Sequence, residues 1–97
     1  MAFRGRHCIL LAQRWPGEPT RVGFIASKKS VGGAVQRNRA RRRLREIVRR
    51  RWPVVTPEGF GLVFIALRSA LTAPHESLVA EVERLITDVG AARPAEP

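Results

Sequence analysis

Tyrosine is absent from this sequence, cysteine occurs once, histidine twice, and acidic residues are outnumbered eight to eighteen by lysine and arginine. The lone Cys8 excludes an intramolecular disulfide and any zinc site built on paired thiolates. No apolar run approaches the roughly 18 residues of a membrane span. Cys8-Ile9-Leu10-Leu11-Ala12 is too short for a secretory core and has no convincing cleavage site behind it. The simple reading is a cytoplasmic protein with no membrane partner. His7 and His75 stand alone, with no obvious carboxylate to orient either ring. Phosphodiester hydrolysis at neutral pH needs metal ligands or a general acid/base pair. Neither is evident, so no catalytic residue and no metal ligand is assigned. Cys8 alternates with Leu10 and Ala12 and reads as a small buried hydrophobe. Glu76, Glu81, Glu83 and Asp88 have the spacing of a solvated helix face rather than of a metal site.

The scarcity of acids is uneven. Residues 1–27 carry four arginines and one glutamate, and residues 52–97 carry three arginines against six acids. Between them, residues 28–51 hold eleven lysines and arginines and only Glu46, a local charge of +10 that equals the net charge of the whole chain. Such concentration marks a surface for a polyanion. Most of these residues are arginine, whose planar fork suits bidentate phosphate contacts and base stacking.

The length of 97 residues fits one domain, with no repeat and no long linker. Arg6 to Gln13 reads as a strand, followed by a loop in which Pro16, Gly17 and Pro19 oppose regular structure. Thr20 to Ser27 reads as a second strand, paired with the first as a hairpin. Lys28-Lys29-Ser30-Val31-Gly32-Gly33 is a basic, flexible connection. From Ala34 to about Trp52 the pattern is helical, with Ala40, Leu44, Ile47 and Val48 as one apolar stripe and Pro53 as the stop. Gly59 to Leu67 is apolar throughout and reads as a buried central strand. A last helix opens near Thr72 and Pro74 and buries Leu78, Val82, Leu85, Ile86 and Val89. The tail from 91 to 97 is expected to be disordered. The order strand, strand, helix, strand, helix implies an α+β fold, a mixed sheet with helices packed on it.

With Leu44 at the centre of the first helix's stripe, Asn38, Arg41, Arg42, Arg45 and Arg49 fall on one flank and Arg39, Arg43 and Arg50 on the other. Solvated faces ordinarily mix signs. This one does not, and like charges four residues apart destabilise a helix. An anchored, one-signed, arginine-rich helix is costly without an anionic partner, which points to nucleic acid. Trp15 and Trp52 both precede proline at element ends; they could stack on bases or pack over the sheet edge.

The segment Arg21-Val22-Gly23-Phe24-Ile25-Ala26-Ser27-Lys28-Lys29, followed by Ala34-Val35-Gln36-Arg37-Asn38-Arg39-Ala40-Arg41-Arg42-Arg43-Leu44-Arg45-Glu46, resembles the signature of the bacterial ribonuclease P protein family. The later strand and final helix also fall where that family has them. The resemblance implies an α/β sandwich with a left-handed βαβ crossover, one domain over residues 1–97, and a role in removing the 5′ leader from precursor tRNA. The implied partners are ribonuclease P RNA and the leader of precursor tRNA. Catalysis and Mg2+ belong mainly to the RNA, with no cofactor on the protein alone. Carried over by position, Lys28, Lys29, Arg37, Asn38, Arg39, Arg41, Arg42 and Arg45 would face RNA, and Ile9, Leu11, Phe24 and Ala26 would line a leader cleft. The family usually opens with a basic helix bearing aromatics for that cleft. Only Met1 to Gly5 precedes the first strand here, so that helix is expected to be missing, either because the chain starts late or because the protein dispenses with it, with self-association through the uncovered sheet face and weaker preference for the leader as consequences.

Three other readings share the basic patch. A ribosomal-type structural RNA binder would lack the ordered Ser-Lys-Lys to Leu-Arg-Glu signature. A DNA regulator would need a helix-turn-helix pattern. A stand-alone nuclease would need an active-site cluster. None of the three features fits this chain as well as the ribonuclease P signature does.

Overall fold

The computed structural model describes residues 1–92. Four strands form one mixed sheet: β1 (Ala2–Arg4), β2 (Cys8–Pro19), β3 (Arg21–Ile25) and β4 (Glu58–Ala66), in the spatial order β1-β2-β4-β3. Two helices, α1 (Ala34–Arg50) and α2 (His75–Asp88), complete it, with short 3-10 turns at Trp52–Val54 and Arg68–Leu71. The α+β architecture inferred from the sequence is the one observed.

The sheet is organised by β4. Every second residue (Phe60, Leu62, Phe64, Ala66) is buried against the helices, as strand alternation requires. Cys8, Leu10 and Ala12 of β2 join them on the same inner face. From the helices come Ala40, Leu44, Ile47 and Val48 of α1, and Leu78, Val82, Leu85 and Ile86 of α2. Both apolar stripes are buried as their periodicity predicts. Helix α1 ends where Pro53 lacks an N–H to continue it. Helix α2 ends at Gly90, whose φ of +84° turns the chain back.

Three expectations are corrected. The first two long strands do not form a hairpin with each other. β2 pairs antiparallel with β4 from Cys8↔Ala66 to Trp15↔Gly59, and β3 pairs parallel with the other edge of β4. The chain crosses the start of β4 between Trp15 and Pro19, where the register breaks, and Thr20 N–H then bonds Pro57 O at 3.0 Å. Pro16, Gly17 and Pro19 thus interrupt the ladder without ending the strand. β4, apolar from Gly59 onward, has both its edges paired and lies between the two strands that precede it. Second, Ala2–Arg4, read as a mere lead-in, pairs with β2 as an edge strand. Third, Ala91 is fully buried, Thr56 N–H bonds its carbonyl at 2.8 Å, and Ala92 bridges Val55. The packed chain therefore continues into the segment expected to be disordered, whose remaining residues, 93–97, lie outside the described ones.

Candidate nucleic-acid interface

The interface is built on α1. Its apolar stripe fixes the helix over the sheet, and the remaining positions sort into two groups by what they touch. Arg43 is structural: its guanidinium donates at 2.6 Å to the carbonyls of both Ala70 and Ala73, tying α1 to the turn and link that lead into α2. Arg51 bonds Glu83 at 2.7 Å. Arg49 and Arg50 share Glu46 at 2.6 and 3.3 Å, and they hold its carboxyl below the usual range, Arg49 more than Arg50.

Apart from the carbonyl-bound Arg43, seven cations of the segment have no carboxylate partner among the described residues: Lys28, Lys29, Arg37, Arg39, Arg41, Arg42 and Arg45. Lys28 and Lys29 are exposed in the turn after β3, which is anchored by buried Val31 and closed by Ser30 N–H bonding Ser27 Oγ at 2.9 Å. Asn38 accepts from the Arg41 guanidinium, which orients both side chains one turn apart. Asn38, Arg41, Arg42 and Arg45 line a polar hollow of about 290 Å³ against Phe24 of β3. The Arg45 guanidinium lies 5.8 Å from the Phe24 ring centroid. Sequence periodicity had placed these four residues on one flank; the structure adds that this flank faces the β3 edge of the sheet. These seven cations and Asn38 are the same eight residues carried over by position.

The four leader-cleft candidates do not come together. Strand alternation directs Ile9 and Leu11 outward, while Phe24 and Ala26 belong to the inner face. Phe24 stacks on Phe64 at 5.8 Å, and Ala26 is buried. The outer face carries no helix among the described residues. It forms a hollow of about 610 Å³ lined by Leu11, Trp15, Arg21, Gly23, Gly61 and Val63 with neighbours at its rim. A side chain at Gly61 would come within 2.7 Å of the Trp15 ring, so glycine lets the indole lie flat across the sheet.

One acid was misread. Glu81, expected on a solvated face, is buried. Its carboxylate accepts the backbone N–H groups of Arg6, His7 and Cys8 at 2.7, 2.8 and 2.9 Å. The β1–β2 turn leaves those donors without strand partners, and nothing in local sequence announces a partner more than 70 residues away. Beside it, His7 Nδ1 meets Ser69 Oγ at 2.8 Å, and Ser69 Oγ donates to Arg6 O at 3.1 Å. His7 is thus engaged in holding the turn. Among the described residues, no three His, Cys, Asp or Glu side chains form a metal-binding group, and no helix is long and apolar enough to cross a membrane.

Comparisons with known proteins bear on the family and the fold. The family model described as Ribonuclease P matches residues 1–90. The ribonuclease P protein component of Symbiobacterium thermophilum is 51% identical over 74 residues, covering 76% of this chain and 63% of that protein. That of Caulobacter vibrioides is 42% identical over 89 residues, covering 91% and 59%. The chain therefore spans about three fifths of the length of these curated relatives. Among solved structures, the RNase P protein of Thermotoga maritima superposes with a TM-score of 0.77 at 23% identity over 91% of this chain and 82% of that one. That of Staphylococcus aureus gives 0.76 at 20% identity over 94% and 82%. With the fold shared, the family model matched over residues 1–90, and half the residues identical to a curated member over three quarters of this chain, this chain belongs to the ribonuclease P protein family.

Proposed function

We propose that this protein binds a ribonuclease P RNA in the cytoplasm and assists it in releasing the 5′ leader of precursor tRNA. The observation that carries the reading is the sorting of charge on α1. The arginines the fold needs are paired inside the protein, and the rest form a one-signed face with no carboxylate partner among the described residues. Arg37, Asn38, Arg39, Arg41, Arg42 and Arg45 are assigned to the RNA subunit, with Lys28 and Lys29 beside them towards the leader. Their work is electrostatic: they neutralise phosphates that would otherwise repel one another where two RNAs meet. The single-stranded leader is assigned to the outward sheet face around Ile9 and Leu11. The same apolar face would support self-association when no RNA covers it.

Magnesium is assigned to the RNA. No donor set of three acids, histidines or thiols is gathered among the described residues, and the Glu81 oxygens are already occupied by N–H groups. No step is routed through an ion on the protein. The test is reconstitution: bacterial ribonuclease P RNA and precursor tRNA at low magnesium, with and without the full chain. Leader release that rises with added protein supports the proposal; release unchanged by saturating protein overturns it.

A further inference from the structure

Beside the polar hollow on the β3–α1 seam lies a second, apolar slot of about 410 Å³. Val22 and Phe24 of β3 floor it, Val48 of α1 backs it, and Trp52 stands at its end, with Arg45 and Arg49 at the rim. Phe24 and Arg45 line both cavities, so the two adjoin. Trp52 leaves 37% of its surface exposed although it sits next to this apolar floor. Arg45 has its guanidinium over Phe24, which is itself stacked on Phe64.

We infer that this slot holds one unpaired nucleobase of the RNA partner, with the adjoining phosphate in the hollow of Asn38, Arg41 and Arg42. The inference rests on the RNA-binding reading and specifies how one part of that surface is used. The apolar floor offers nothing to a free phosphate, and the arginine rim repels a basic peptide. A ligand that fits both cavities at once is planar and aromatic at one end and anionic at the other, which describes a nucleotide. A base still paired in a duplex cannot enter a slot, so the nucleotide is a bulged or single-stranded one. Unpaired bases are recognised through aromatic rings and guanidinium planes. Here Trp52 supplies the ring, and Arg45, whose guanidinium lies over Phe24, supplies the plane.

The chain has only two tryptophans, Trp15 and Trp52. In a Trp15→Phe protein all indole emission comes from Trp52. That protein is titrated with transcribed ribonuclease P RNA of Symbiobacterium thermophilum, with binding followed in parallel by filter retention. The expected result is saturable quenching of Trp52, and shielding from acrylamide, at the same midpoint as retention. In the otherwise unaltered chain Trp52→Ala should weaken retention about tenfold and Trp52→Phe about threefold or less, since one base stack is lost in the first and kept in the second. RNA retained with Trp52 emission and acrylamide access unchanged overturns the slot and leaves the RNA-binding reading intact. So does a folded Trp52→Ala protein that binds within about twofold of the parent, well under the loss of one stack. Failure of the parent to retain the RNA overturns the reading and the slot together. Should Trp52→Ala not fold, the emission experiment on Trp15→Phe decides alone.

Discussion

Replacing Glu81 by alanine tests how the β1–β2 turn is held to α2. The side chain is 8% exposed and accepts three backbone N–H groups. Each hydrogen bond to a charged group contributes about 1.5–3 kcal/mol. The sum is a ceiling, because the carboxylate was itself desolvated and because Arg6 and His7 lie near solvent and would recover water. Cys8 N–H would not, since Cys8 is fully buried. One donor left orphaned and two weakened give a loss of about 3 kcal/mol. Domains of this size have a total stability of about 5–15 kcal/mol, so the variant should fold but melt about 12–24 °C lower. Urea unfolding followed by circular dichroism measures the loss directly, with the denaturant slope unchanged. Glu81→Gln should fall between the two, because its amide nitrogen would meet a donor.

Gly5 supplies an independent check. A methyl group there would overlap the Glu81 carboxylate, so Gly5→Ala should destabilise the parent but far less the Glu81→Ala protein. The double-mutant cycle should give a coupling above about 1 kcal/mol. Additive effects, or a Glu81→Ala protein within about 0.5 kcal/mol of the parent, the range of ordinary surface substitutions, would refute the reasoning.

Arg43→Ala should lower stability by about 2 kcal/mol through the loss of two charged hydrogen bonds to carbonyls, whereas Arg42→Ala should leave unfolding within about 0.5 kcal/mol and weaken RNA retention; the reverse pattern would invert the assignment of structural and binding arginines. If about six phosphates are neutralised, the log–log slope of RNA affinity against salt should be roughly −4 to −5, and a slope near −1 would show that this face is not the binding surface. Cys8 is buried, and its thiol is pushed well above its ordinary range by that burial and then by the Glu81 carboxylate. Its alkylation by iodoacetamide should therefore occur only through unfolding, with a rate that rises with urea; rapid modification of the native protein would contradict the packing.

Much of the architecture can be read from periodicity. The stripes of α1 and α2 are buried residue for residue, because helical spacing alone determines which side chains share a face. The central position of β4 was anticipated from its unbroken apolar run, although only alternate residues are buried against the helices and Gly61, Val63 and Ile65 on the other face are half-buried. The basic surface proposed to meet RNA was legible for the same reason: charge excess is a property of composition, and an apolar stripe through the excess shows which flanks remain outside.

Strand partners were not legible. Residues 8–25 contain two β-rich runs close together, and local pattern favours a hairpin; insertion of β4 between them depends on a segment more than 30 residues later that competes for the same edges. The misplacement of Phe24 and Ala26 in one cleft with Ile9 and Leu11 has the related cause that facing is fixed by register across the sheet. Tertiary structure alone separated Arg43, clamped to Ala70 and Ala73, from neighbours chemically identical to it. It also turned Glu81 from a solvated acid into the anchor of a distant turn. Propensity and periodicity act over a few residues, so they were enough for both helices, the longer strands, the buried helix faces and the sign of the surface charge. Which strands meet, and which charges are consumed inside the protein, depended on hydrogen-bond donors and acceptors brought together only by the folded chain.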